Sequence, residues 1–221
     1  VKNIVFTTIM LLSTTAIASD FTGPYVTGAV GYVYGFNNGK EKFASNGQDS
    51  ASQKMNLTDF NWATSAGYNW EVSDGVLLGG EATFDWMTAS DTANQKLNQL
   101  YSQQWVVYSD VVYTTSVRAK VGKKVFDDQG LLYISAGPTI AKVKYGFLDL
   151  TGPQSEEKST THKGVVGAVG LKYKVYDNLS LFSEVSWTKF ARESIDAQVW
   201  GKIQYQSLSL GGAKIGLSYD F

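Results

Sequence analysis

Charged residues at steps of two are the first candidates for chemistry in this sequence. Glu81 and Asp85 stand in "GGEATFDW", Arg118 and Lys120 in "SVRAKVG", Lys172 in "GLKYKVY" and Glu184 in "LFSEVSW". Acids and bases are balanced across these stretches. An unpaired charge in an enclosed space costs several kcal/mol, so such residues need partners. Ion pairs are therefore expected among these six. They would form either a static plug or the walls of a narrow ion path, and the plug is the plainer reading. The one histidine, His162, lies in "STTHKG" beside Ser159, Thr160 and Thr161. Nucleophilic catalysis needs a base positioned against a nucleophile, which neighbours on one loop rarely achieve. No catalytic set is expected. His162 or a loop tyrosine could ligate haem iron, but no pattern specifies it, and no cofactor is expected.

Composition removes other chemistries. The 221 residues contain no Cys and one His, which excludes disulfides, cysteine zinc sites and multi-histidine metal sites. The formal net charge of −1 gives no basic footprint for nucleic acid. Tyr (13), Phe (11), Trp (6) and Gly (22) are frequent and Pro (3) is rare, a mixture that favours strands.

Strands must then position the charges. In "FNWATSAGYNWEV", Phe60, Trp62, Tyr68, Trp70 and Val72 share one register, while Asn61, Ser65, Asn69 and Glu71 share the other. A period of two is a strand with unlike faces. The same pattern recurs in "GPYVTGAVGYVYG", "VLLGGEATFDWM", "VVYTTSVRAKVGKKV", "LLYISAGPTIAKVKY", "GVVGAVGLKYKVY", "LSLFSEVSWTKF" and "GGAKIGLSYDF", making eight strands. Pro138 cannot donate to a ladder and predicts a bulge or break. Leu208 and Leu210 fall out of phase with Ile215, Leu217 and Tyr219, and a bulge near Gly211-Gly212 would reconcile them. Tight turns are expected at Ser73, Asp127 and Asp177. Long polar loops are expected over about 36–58, 89–108, 148–163 and 191–204.

A soluble sandwich would alternate in the same way, and three features decide against it. Phe60 to Trp70 is roughly 33 Å of strand at about 3.3 Å per residue. Tilted about 40°, it spans roughly 25 Å, the height of the apolar band on an outer-membrane barrel. The polar register is small (Gly, Ala, Ser, Thr, Asn), which suits the tight interior of eight strands. The sequence also ends on an aromatic residue. The expected fold is all-β, an eight-stranded antiparallel up-and-down transmembrane β-barrel. Trp62, Tyr68, Trp70, Phe84, Trp86 and Trp187 would meet lipid and its interfaces. Lys2, the apolar run Ile4–Leu12 and Ala16-Ile17-Ala18 predict a signal peptide over 1–18. The barrel would occupy 19–221.

The strand sequences quoted above, "LLGGEATFDW", "GAVGLKYKVYDNLSLFSEVSW" and the final "GLSYDF" among them, resemble the small outer-membrane β-barrel family, the OmpA-like and opacity-protein-like porin group. The resemblance covers the expected mature chain and is absent from the loops. It implies residence in the outer membrane and a role for Tyr219 and Phe221 as the signal read by the barrel-assembly machinery. The functions then expected are structural support or adhesion to host or surface ligands through the long loops. A narrow gated porin-like channel is the alternative. A soluble lipocalin-like carrier or an outer-membrane enzyme comes behind both.

Overall fold

The computed structural model describes residues 21–43, 49–97, 100–149, 155–197 and 202–221. The expected signal peptide lies outside them. The chain forms antiparallel strands β1 (Gly23–Phe43), β2 (Asp49–Ser73), β3 (Val76–Leu97), β4 (Leu100–Val125), β5 (Gly130–Asp149), β6 (Ser155–Tyr176), β7 (Leu179–Phe190), β8 (Glu193–Ala197) and β9 (Lys202–Asp220). β1 to β7 pair in sequence order, β9 pairs with both β7 and β8, and β1 also pairs with β9, which closes the sheet into a ring.

The short β8 does not add a place to that ring. β7 pairs with β9 up to Lys189↔Ser209, and β8 takes over the same edge from Glu193↔Gln206. The register advances by one residue between them. β8 is therefore the continuation of β7 after a two-residue break at Ala191–Arg192, and the wall has eight positions.

Period-two alternation sets the two faces. Trp62 (71 % exposed), Trp86 (63 %), Val117 and Ile134 project outward, and the small or charged residues between them project into the lumen. One expectation about register needs correction. The β1–β9 pairing runs without a shift from Tyr25↔Asp220 to Phe43↔Lys202. There is thus no bulge at Gly211-Gly212. Leu208 and Leu210 share the inward register with Lys214 and Ser218 and are buried in the lumen. At Pro138 the β4–β5 ladder lapses between Ser116↔Thr139 and Ala119↔Ala136 but resumes in the same register. That is a break without a bulge, as the missing N–H requires.

The expected long loops are in large part paired strand. β1 and β2 stay paired to Lys42↔Asp49, β3 and β4 to Leu97↔Leu100, β5 and β6 to Leu148↔Ser155, and β8 and β9 to Ala197↔Lys202. Above the apolar belt the outward residues turn polar, so the contrast that marks an amphipathic strand disappears. The inward register still holds the sheet. Met55, Leu57, Met87, Val111, Val143 and Leu208 belong to one buried cluster there. Residues 44–48, 98–99, 150–154 and 198–201 lie outside the described residues.

At the opposite, short-turn end, Gly75 closes the β2–β3 turn with φ 71°. That left-handed conformation is cheap only without a Cβ. The lumen there is filled by Phe21, Leu77, Leu131 and Tyr133.

Candidate functional site

Between the two apolar layers lies a belt of buried charges. Glu81 on β3 is its centre. One carboxylate oxygen engages Arg118 Nη2 on β4, and the other accepts from Lys120 Nζ at 2.7 Å and from Tyr25 Oη on β1 at 2.8 Å. Arg118 Nη1 donates to Glu184 Oε1 on β7 at 2.9 Å. Glu184 also accepts from Tyr133 Oη at 3.1 Å and pairs with Lys214 Nζ at 3.2 Å. Lys214 reaches Asp85 at 3.5 Å, and Asn61 donates to the same Asp85 oxygen at 3.1 Å. Lys172 Nζ pairs with Asp220 Oδ1 at 3.0 Å.

The structure thus brings Glu81, Asp85, Arg118, Lys120 and Glu184 into one connected network. Lys172 instead takes Asp220, on the last strand, as its partner. Among the described residues of the belt, four carboxylates (Glu81, Asp85, Glu184, Asp220) face four cations (Arg118, Lys120, Lys172, Lys214), so its charge sums to zero. Each carboxylate is held by two or more donors. That is what keeps ionised groups tolerable away from bulk water.

Two tyrosines complete the network, and each depends on a glycine. Tyr25 pairs across strands with Gly67, and Tyr133 with Gly170. A Cβ on Gly67 would fall 2.5 Å from Tyr25 Oη, and one on Gly170 would strike the Tyr133 ring. The absent side chains let both rings lie flat across the neighbouring strand, with hydroxyls over the charges. Lys120 Nζ stands 4.7 Å from the Tyr25 ring centroid and 4.5 Å from that of Tyr133, within cation–π range. Period-two parity in "GGAKIGLSYDF" places Lys214 and Asp220 on the inward register without naming a partner for either, and neither tyrosine was among the six charged candidates. The parity of Tyr25 with Ala29, and of Tyr133 with Ser135, was the available signal.

A cavity of about 40 Å³ lies above the charges, bounded by Asn61, Asp85, Thr114, Arg118 and Lys214. It has room for a water molecule or a few at most. Above it the lumen becomes apolar. Leu57 and Leu210 flank Gly35 in the cross-strand register and meet over its missing side chain.

His162 is not on a surface loop. It is fully buried on β6, with Nε2 2.8 Å from Tyr145 Oη and its ring beside Phe190. Asn37 Nδ2 donates to Ser109 Oγ at 3.1 Å and to Tyr145 Oη at 3.4 Å, linking four strands through an otherwise apolar layer. Ser159 and Thr161 point outward, on the face opposite His162. Neither is brought to the imidazole.

The aromatics Trp62, Tyr68, Trp70, Phe84, Trp86 and Trp187 all lie on the outward face. Tyr68 and Trp70 pack at 4.7 Å between ring centroids. At the chain's last residues, Tyr219 and Phe221 pack edge to face at 5.0 Å, and Phe221 N–H donates to Pro24 O at 3.0 Å.

A closed ring with a filled polar lumen and an oily outer face has a counterpart among known families. The model described as the outer membrane protein beta-barrel domain matches residues 4–221. The chain belongs to this family. Outer-membrane barrels of this kind place short turns in the periplasm and longer connections outside. The 31 kDa outer-membrane immunogenic protein of Brucella melitensis biotype 1 is 24% identical over 208 residues, covering 91% of this chain and 84% of the relative. The protein of the same name from Brucella suis biovar 1 matches equally. Among solved structures, the outer membrane protein OprG from Pseudomonas aeruginosa aligns with a TM-score of 0.57 at 14% identity, covering 90% of this chain and 96% of OprG. This outer-membrane barrel shares the fold of OprG.

Proposed function

We propose that this barrel is a closed platform whose extracellular crown of paired hairpins makes adhesive contact outside the cell, host surfaces included. The observation that carries this reading is that pairing continues past the outward apolar belt on all four hairpins, up to Lys42↔Asp49, Leu97↔Leu100, Leu148↔Ser155 and Ala197↔Lys202. Hydrogen-bonded ribbons are ordered before a partner arrives, which lowers the entropic cost of binding. The Brucella relatives are named immunogenic outer-membrane proteins, which accords with exposure of the crown. Tyr219 and Phe221 take the role of the segment that the barrel-assembly machinery reads.

The test compares intact cells displaying the full barrel with cells displaying a variant whose four hairpins are cut back to the belt and closed by Asn-Gly turns. Adherence to epithelial monolayers should fall to the background of cells lacking the protein. Equal adherence by the trimmed barrel would refute the crown as the contact surface.

The interior charges favour a second reading, a narrow gated path. Against it stand two apolar layers that close the lumen above and below the charges. Apolar constrictions block ions by dewetting. In planar bilayers, neither wild type nor Glu81→Ala should give current steps. Steady conductance by the wild type would reinstate the pore.

A further inference from the structure

Five cations crowd one side of the barrel just above its oily belt. On β5 the last lipid-facing residue is Ile140 and the next outward residues are Lys142 and Lys144. On β6 Val165 (64 % exposed) is followed by Lys163, and on β7 Trp187 is followed by Lys189, with Arg192 just beyond. Two residues of strand are about 7 Å, so this row begins where acyl chains give way to headgroups. We propose that Lys142, Lys144, Lys163, Lys189 and Arg192 bind the phosphate groups of glycolipids in the outer leaflet.

Register makes the row continuous. Ile140 pairs with Lys163, and Val165 with Lys189. Lys142, Lys163 and Lys189 are thus diagonal neighbours on successive strands, about 7–8 Å apart. Like charges at that spacing repel unless an anion lies between them. Among the described residues, Lys142, Lys163, Lys189 and Arg192 make no ion pair. Lys144 alone faces a carboxylate, Asp110 across β4.

The opposite side of the wall is different. On β2 the two outward residues next above Phe60, Thr58 and Asn56, are exposed and neutral, with Lys54 only beyond them, and on β3 Trp86 leads up to exposed, neutral Ser90. The positive row is therefore local to β5–β7 and does not encircle the barrel.

A second feature selects a lipid over a soluble polyanion. Directly below Lys142, where the ladder lapses at Pro138, the outward face carries an open groove of about 240 Å³ lined by Thr115, Val117, Pro138 and Ile140. An acyl chain lying in this groove would carry its phosphate up to Lys142 and Lys163. A sulfated or phosphorylated saccharide without a tail has no use for it. Basic residues at a membrane surface contribute about 1 kcal/mol each toward anionic headgroups.

The test uses the full-length mature barrel in zwitterionic detergent, with diphosphoryl lipid A as the probe and native mass spectrometry as the readout. The Lys142→Gln, Lys163→Gln and Lys189→Gln triple variant should bind it roughly a hundredfold more weakly than wild type. Lys40→Gln with Lys54→Gln, which removes exposed charge from β1 and β2, should bind it like wild type. Heat-modifiable gel migration establishes that each variant is folded. Dephosphorylated lipid A should bind wild type as weakly as diphosphoryl lipid A binds the triple variant. Inorganic phosphate and heparin should not compete at concentrations that leave the barrel intact. Equal binding of lipid A by the triple variant would overturn the proposal. So would retention of heparin at this row with no retention of lipid A, which would assign the row to a soluble polyanion.

Discussion

Arg118 on β4 and Glu184 on β7 are not neighbours in the wall, yet they meet at 2.9 Å across the lumen. The bond braces opposite sides of the ring through its centre, and Arg118 carries Glu81 on its other nitrogen. Arg118→Met leaves Glu184 and Glu81 each short of a donor in an enclosed interior. Breaking a buried pair from one side costs about 3–5 kcal/mol. The temperature at which the folded gel form converts to the unfolded one should fall accordingly. Arg118→Met with Glu184→Gln restores the charge balance and should recover part of the loss. An unchanged conversion temperature in Arg118→Met would show that the brace carries no stability.

Gly67 is small because Tyr25 lies over it. Gly67→Ala places a methyl 2.5 Å from Tyr25 Oη and 2.6 Å from Gly80 O, so the ring must leave Glu81 or the strands must part. Overpacking of this kind costs about 1–3 kcal/mol. Gly28→Ala is the control, because a Cβ there meets nothing within 4 Å. Urea unfolding followed by tryptophan fluorescence should separate the two variants. Equal midpoints would mean that Tyr25 is free to move aside.

The short-turn mouth supplies a pH-dependent contact. Glu71 Oε2 pairs with Lys124 Nζ at 2.9 Å, and Gly75 N–H donates to Oε1 at 3.0 Å. The Lys124 hydrogen bond, then the Gly75 N–H, hold the exposed Glu71 carboxyl below its ordinary range. A depressed carboxyl stabilises the folded state above its unfolded pKa, and that contribution disappears as pH falls through the lower folded value. Glu71→Gln should therefore differ slightly from wild type at neutral pH and converge with it in acid. A difference that grows on acidification would contradict this assignment.

Phe221 bonds to Pro24 and packs on Tyr219 at the seam where β1 closes on β9. Removing Phe221 should lower the folded fraction recovered from outer membranes of expressing cells. Refolding of the purified chain in detergent should proceed as for wild type. Equal loss in both settings would make Phe221 a seam residue and nothing more.

The sequence by itself determined the ring and its inversion. Alternation in "FNWATSAGYNWEV" and its seven counterparts specifies strands, and aromatics at both ends of the apolar register specify an oily exterior. These are local, period-two signals, and a residue's parity settles which side of the wall it occupies. Parity alone also put Glu81, Arg118, Lys172 and Lys214 in the lumen.

What only the tertiary structure decided depends on pairing between distant strands. Which cation takes which carboxylate is set by stagger across the lumen, so Lys172 finds Asp220 and leaves Glu184 to Arg118 and Lys214. The crown was illegible for the opposite reason. Once the outer face turns polar the alternation loses its contrast, so His162 reads as a loop residue and Leu208 as out of phase with its strand. Only closure of the ring reveals that both point inward, because the inside of a barrel is defined by strands far away in sequence.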